Sequence, residues 1–449
     1  MENACKPFAG KKITLMGLGL LGRGTGDAEF LAKCGAKLTV TDRKSESELA
    51  ESVSRLKKYP NIAFHLGGHD IADFTNSDLV IKAAGVPLDS NEIAAARAAS
   101  VPVAMSTALF AKYAMEVGVK MVGVTGTRGK STVAHMIFHV LRRAGKRSHL
   151  GGNIRGISTL AMLPDVEKGD IAVLELDSWQ LQGFGDLEIS PQVAVFMNLM
   201  PDHLNYYKSM DQYFSDKANI FKHQKHGDVL VAGASIADRI RTLEPRMDPI
   251  IPDPIPRNWK LKIVGNHNRQ NAAFAATALY ALGLSEEEIK DGLESFEGVE
   301  GRLQFVREIR GIEIYNDNNA TTPEATIAEL KALRESRGTN RESGIILIAG
   351  GADKGLNLKQ LADEIGKRCK KVVLLSGTGT DKLVPLLDSR FLIHDSSLHD
   401  SLREAAGKAL EIATSGDIIL FSPAFASFGM FKNEYDRNDQ FLEIVRSLN

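Results

Sequence analysis

Short apolar runs alternate along this chain with stretches in which apolar residues recur every three or four positions. The runs read as strands at Ile13–Met16, Lys37–Thr41, Leu79–Lys82, Met121–Val124, Ile171–Leu176, Val193–Met197, Ile312–Tyr315, Ile345–Ile348, Val372–Leu375 and Ile418–Phe421. The stretches between them read as helices with one buried stripe. This alternation predicts an α/β chain, parallel sheets covered by helices on both faces, with more strands than one sheet usually holds. A length of 449 residues fits three domains, placed at 1–107, 108–300 and 301–449. Pro245, Pro249, Pro252, Pro254 and Pro256 crowd one segment, which predicts irregular surface chain there. No repeat of solenoid period interrupts the pattern.

One strand end stands apart chemically. Met121–Val124 runs into Gly126, Thr127 and Gly129, and Lys130, Ser131 and Thr132 open a helix. Amides of such a loop and of the helix N-terminus face an anion, and the lysine adds a mobile positive charge. The Ser131 hydroxyl is placed to ligate Mg²⁺ between phosphates. A strict GxxxxGK[ST] spacing would put glycine at Val124; the shorter form starting at Thr125 is what stands here. The bland reading, a glycine-rich turn with an incidental lysine, leaves the flanking strand and helix unexplained. The segment predicts a bound nucleotide triphosphate.

A second glycine loop, Gly17, Gly19 and Gly22, follows the first strand, with Asp42 twenty residues beyond Gly22. This is the outline of a dinucleotide-binding turn. Its amides suit a diphosphate, either of NAD(P) or of a UDP-linked substrate with Asp42 or Arg43 near the base. Alone, it is as readily a packing turn.

Further polar residues gather at strand ends, where α/β sheets place their chemistry. Glu175 and Asp177 close one strand, Asp202 and His203 the next, and Lys217 follows on a predicted helix. Ser131, Glu175 and His203 offer hard oxygens and one imidazole to Mg²⁺. Each alone reads as a capping, satisfied or solvated side chain; their joint place downstream of the phosphate loop reads as a site. Asn268 and Asn271 share a helix face or cap its start. The loops Asn316–Pro323, Gly350–Lys354 and Ser422–Phe428 line one end of the third unit.

Composition narrows the partners. Apolar residues make up 43%, charged residues 25% and the net charge is −1, which gives no reason to expect nucleic acid or a membrane surface. No signal peptide and no run long enough to span a bilayer is visible, so a cytoplasmic location is expected. Cys5, Cys34 and Cys369 are far apart and odd in number, and fit neither a disulfide framework nor a zinc site.

Taken together, the motifs resemble the Mur ligase family over about Lys11 to Phe441. They are Gly126–Thr132, Gly151–Asn153, Leu174–Ser178, Pro201–His203 with Lys217, Gly265–Asn271, Gly301–Leu303, Asn316–Asp317, Gly350–Lys354 and Ser422–Ser427, in the family's order. The likeness is strongest to members that add D-glutamate to UDP-N-acetylmuramoyl-L-alanine for peptidoglycan. It implies a Rossmann-like UDP-binding domain, a central P-loop-type ATPase domain and a Rossmann-like C-terminal domain, in a monomer that forms an amide through an acyl phosphate. By that resemblance Gly17, Leu18, Gly19, Asp42, Arg43, Ala84, Gly85 and Asn153 would hold the UDP substrate. Gly126, Thr127, Gly129, Lys130, Ser131 and Thr132, with Asn268, Asn271, Arg302 and Asp317, would hold ATP. Ser131, Glu175, His203 and Lys217, the last as N6-carboxylysine, would hold two Mg²⁺ ions; Lys130, Glu175, His203 and Lys217 would be catalytic. Thr321, Lys354 and Ser427 would face the amino acid. Asn319, Gly301 and Glu434 depart from the family's lysine, histidine and aromatic residue. They leave L-glutamate or another amino acid open, and a non-catalytic nucleotide or UDP-sugar binder as the outer alternative. An NAD-dependent oxidoreductase would leave the Lys130 loop without a role.

Overall fold

In the computed structural model, which describes residues 1–20, 22–202, 206–336, 344–387, 398–427 and 429–448, the apolar runs pair as three five-stranded sheets. The first holds β1 (Lys12–Met16), β2 (Lys37–Asp42), β3 (Ile62–Leu66), β4 (Leu79–Lys82) and β5 (Val103–Ala104) in the order β3-β2-β1-β4-β5, all parallel. The second holds β6 (Lys120–Thr125), β7 (Ser148–Gly152), β8 (Ile171–Glu175), β9 (Val193–Phe196) and β10 (Val229–Ala232) in the order β10-β9-β6-β8-β7, again parallel. The third holds β11 (Gln304–Ile309), β12 (Ile312–Asn316), β13 (Ile345–Gly350), β14 (Cys369–Leu375) and β15 (Ile418–Phe421) in the order β11-β12-β15-β13-β14. Only the edge pair β11–β12 is antiparallel there. The α/β expectation is met in all three.

Strands covered on both faces can be apolar throughout, and β8 and β13 are buried at every position. The helix Lys130–Arg143 shows the complementary pattern, burying Val133, Ala134, Met136, Ile137, Val140 and Leu141 while its last turn carries Arg142 and Arg143, cations suited to a helix C-terminus. In the first two sheets the chain moves away from the central strand first to one side and then to the other. The loops after β1 and β6 therefore sit beside switch points, where open α/β sheets bind ligands.

The chain divides into two compact units, Met1–Ile255 with Asn271–Leu293, and Pro256–Gln270 with Glu294–Asn449. The first carries two sheets and the second carries one. Residues 245–256 contain neither helix nor strand, only an isolated bridge from Ile250 to Val231. Among the described residues no helix is long and apolar enough to cross a membrane.

One expectation is corrected. Cys5 and Cys34 form a disulfide, their Cα atoms 4.8 Å apart across 29 residues of sequence. The reason is topological. The helix Arg23–Lys33 runs back antiparallel to β1, so its end at Cys34 returns to the chain start. Cys369 is free and buried, and burial pushes its thiol up.

Candidate active site

The phosphate loop is wired to its neighbours by side chains as well as backbone. Asn198, just beyond β9, accepts hydrogen bonds through Oδ1 from the amides of Thr127 (3.0 Å) and Arg128 (2.9 Å), and donates through Nδ2 to the Arg128 carbonyl. Thr127 Oγ1 accepts from the Met200 amide at 2.9 Å. Gly129 caps the helix with φ +84°, and a Cβ there would stand 2.6 Å from Asn271 Oδ1. Both the left-handed backbone and the close approach require glycine. Asn271 is thus brought to the loop, while Asn268 lies in the other unit, where its Nδ2 donates to the Val264 carbonyl. The sequence reading left Asn198 without a role, although it stands in a strand-end cluster already noted as polar.

Two lysines converge on this loop. Lys130 Nζ donates to the Thr127 carbonyl at 3.1 Å. Lys217, on the helix Met210–Ala218, is 1% exposed and donates to the Gly126 carbonyl at 3.0 Å and to Thr125 Oγ1 at 3.3 Å. Its ammonium lies 4.8 Å from the Tyr213 ring centre, a cation–π distance. Burial, then repulsion from Lys130, holds the Lys217 pKa well below that of an ordinary lysine. Glu175 ends β8 and is 3% exposed; its field acts on Lys217 in the opposite sense. Asp177 caps the next helix in a capping box with Gln180, so of the two acids here Asp177 is structural. His203 lies outside the described residues, and among those described no three His, Cys, Asp or Glu side chains cluster as a metal site. The donors present still fit a hard cation: the Ser131 hydroxyl and a buried carboxylate beside a phosphate loop.

At the first sheet, Asp42 accepts the Gly19 amide through Oδ2 (3.1 Å) and the Lys44 amide through Oδ1 (2.9 Å). The acid therefore shapes the glycine loop directly. Arg43 is exposed, 3.8 Å from Glu92. A cavity of about 240 Å³ opens between Gly17, Gly19, Lys82, Gly85, Ser106 and Ser158. Lys82 is 2% exposed and donates to the Val86 carbonyl at 2.9 Å, shaping the turn that carries Ala84 and Gly85. Burial lowers its pKa to about 8. Asp27 is buried and accepts from Ser158 Oγ at 2.6 Å, and desolvation pushes its carboxyl up to about 6.

In the third sheet Lys354 Nζ donates to Thr321 Oγ1 at 3.0 Å. Ala352 and Ala426 bond to each other twice, at 3.0 and 3.2 Å, so the Lys354 and Ser427 loops adjoin. Asp317 accepts from Ser422 Oγ and the Leu303 amide; burial raises its pKa against those bonds and the pull of exposed Arg302. Two departures prove to be one contact. Asn319 Nδ2 donates to the Glu300 carbonyl, and a Cβ on Gly301 would lie 3.1 Å from Asn319 Nδ2 and from Asn438 Oδ1. Behind these loops Arg437 is fully buried, its guanidinium donating to Asn318 Oδ1 (2.8 Å), the Asn318 carbonyl (2.9 Å) and the Phe425 carbonyl (3.2 Å). Arg437→Met strands these acceptors, and is expected to lower unfolding free energy by about 3 kcal/mol, read by urea denaturation. An unchanged midpoint would show that the network carries no stability.

A phosphate loop on a parallel sheet, preceded by a Rossmann-type sheet and followed by a third α/β sheet with polar strand ends, is the layout of an ATP-dependent acid–amine ligase. Residues 11–105 match the Mur ligase MurD-like N-terminal domain, 124–245 the Mur ligase middle domain and 301–425 the Mur ligase glutamate ligase domain. The chain belongs to the Mur ligase family, as its motifs led us to expect. It is 35% identical to the UDP-N-acetylmuramoylalanine–D-glutamate ligase of Roseiflexus sp. (strain RS-1), over 98% of this chain and 99% of the relative. It is 32% identical to the enzyme of that name from Borreliella burgdorferi (strain ZS7), over 97% of each. The fold matches the UDP-N-acetylmuramate-alanine ligase MurC of Thermotoga maritima, with TM-score 0.60, 20% identity and coverage of 97% of this chain and 99% of that one. It also matches the MurF ligase of Thermotoga maritima in complex with ADP, with TM-score 0.56, 19% identity and coverage of 90% and 93%.

Proposed function

We propose that the protein joins D-glutamate to UDP-N-acetylmuramoyl-L-alanine at the expense of ATP, in the synthesis of peptidoglycan precursors in the cytoplasm. The observation that carries the chemistry is the convergence of Lys130 and buried Lys217 on the loop Thr125–Thr127. Full-length similarity to D-glutamate ligases supports the substrate pair. In this reading residues 1–107 bind the UDP substrate, 108–300 bind ATP and 301–449 bind the amino acid.

A carboxylate is a poor acyl donor, because its hydroxide equivalent is a poor leaving group. Transfer of the γ-phosphoryl group to the substrate carboxylate gives an acyl phosphate and ADP. The glutamate amine attacks the carbonyl carbon, a tetrahedral intermediate forms, and its collapse expels phosphate. Lys130 and the amides around Gly129 neutralise charge on the transferring group. Mg²⁺, held by Ser131, Glu175, His203 and a modified Lys217, would supply further charge neutralisation. Burial disfavours the ammonium of Lys217 and so favours the neutral amine, the form that attacks CO₂ to give a carbamate and release one proton. That exchanges a poorly solvated cation for an anionic oxygen donor.

The test is phosphate release from MgATP and UDP-N-acetylmuramoyl-L-alanine, with D-glutamate and L-glutamate in parallel. D-glutamate-dependent release is expected. Release with L-glutamate alone would keep the mechanism and refute the stereochemical assignment, and release with neither would refute the ligation.

A further inference from the structure

The role given to the first glycine loop ends at Gly22, yet the next residue carries a guanidinium on the same cavity. Arg23 is the first residue of the helix Arg23–Lys33 and lines the same cavity as Gly17 and Gly19. Its Nη1 donates to Asn153 Oδ1 at 2.7 Å, across 130 residues of sequence. One turn further along the same helix face, Asp27 accepts from Ser158 Oγ. These two bonds, four residues apart on the helix and five apart on the partner loop, fix the helix against the segment 153–158.

The direction of the first bond matters. Arginine has donors only, so the Asn153 oxygen must face Arg23, and the Asn153 Nδ2 donors must point elsewhere. Without such a partner the amide could present either end. The cavity wall carries a second cation, Lys82, but its ammonium is turned to the carbonyls of Ala83 and Val86. The carboxyl of Asp27 is turned to Ser158. Arg23 is half-buried, and its bond to Asn153 uses one of its five N–H donors. Planar guanidinium donors match phosphate oxygens well.

We propose that Arg23 binds the diphosphate of the UDP-linked substrate and, through its bond to Asn153, fixes that amide as a second donor. This rests on the function proposed above and adds a residue to it. It makes affinity for the diphosphate depend on Arg23, while affinity for the nucleoside does not.

Calorimetry with UDP and with uridine on the full chain, for the wild type, Arg23→Ala and Arg23→Lys, separates the outcomes. UDP affinity is expected to fall roughly 10- to 100-fold in Arg23→Ala and to be partly restored in Arg23→Lys, with uridine binding the same in all three. In turnover, the KM for the UDP substrate rises by a similar factor, while kcat and the KM values for ATP and glutamate hold. If wild type binds UDP and Arg23→Ala binds it equally well, the inference is overturned. Equal losses for UDP and uridine also overturn it, since that is the mark of a disturbed fold. If the wild type binds no UDP, it is the substrate reading of this cavity that fails.

Discussion

Replacing Lys130 with alanine is expected to reduce kcat for phosphate release by about 10³-fold, equivalent to about 4 kcal/mol of transition-state stabilisation. Lys130 is only partly buried and begins a helix whose packing comes from Val133, Met136, Ile137, Val140 and Leu141. Alanine is also a good helix former, so the melting temperature should stay close to that of the wild type. The loss should fall on kcat more than on KM for ATP, because in the proposed mechanism the ammonium meets charge on the transferring phosphoryl group. Steady-state kinetics with ATP varied at saturating acceptor decides it. A rise in KM at constant kcat would place Lys130 in ground-state binding alone.

Lys217→Ala is expected to cost at least about 10²-fold in activity, and short carboxylic acids such as acetate are expected to restore part of it. Lys217 is buried, so truncation could also weaken packing; rescue by a small acid is the readout that packing loss cannot produce. Intact-mass analysis in bicarbonate should show the added mass of one CO₂, removed by acid. The pH sign follows from the depressed pKa. A lysine whose ammonium is disfavoured gains protons only as pH falls, so carbamylation should be lost towards acid and retained towards alkali. An unmodified mass with fully active Lys217→Ala would dispose of the carbamate. An inactive variant that no acid rescues would leave Lys217 acting as a cation.

The central strands were legible and the edges were not. All ten runs read from the apolar pattern are strands, and the five strands it passed over, β3, β5, β7, β10 and β11, each lie at a sheet edge. The cause is exposure. β3 alternates between half-buried and exposed side chains, β5 is two residues long, and β7 carries Ser148, His149, Gly151 and Gly152. An edge strand need not be apolar on both faces. β14 is the edge that was seen, because Val372–Leu375 is fully buried. At the site, residues held by local backbone, such as Gly129 and Lys130, could be read from the motif. Those held by distant partners could not: Asn198 acts on a loop some 70 residues earlier, and Arg23 meets Asn153 across 130. The departures at Gly301 and Asn319 were visible singly, but that they accommodate each other is a fact of three dimensions. His203 falls outside the described residues.

The Cys5–Cys34 bond closes a covalent ring. Within that ring lie β1, the glycine loop and the helix that begins at Arg23, much of the wall of the cavity proposed to take the diphosphate. A ring of this size removes about 3–4 kcal/mol of chain entropy from the unfolded state in the loop-closure description. Thiol-treated and untreated preparations are therefore two chemical species that differ beside the cavity proposed for the substrate. Affinities and melting curves collected in one buffer do not carry over to the other.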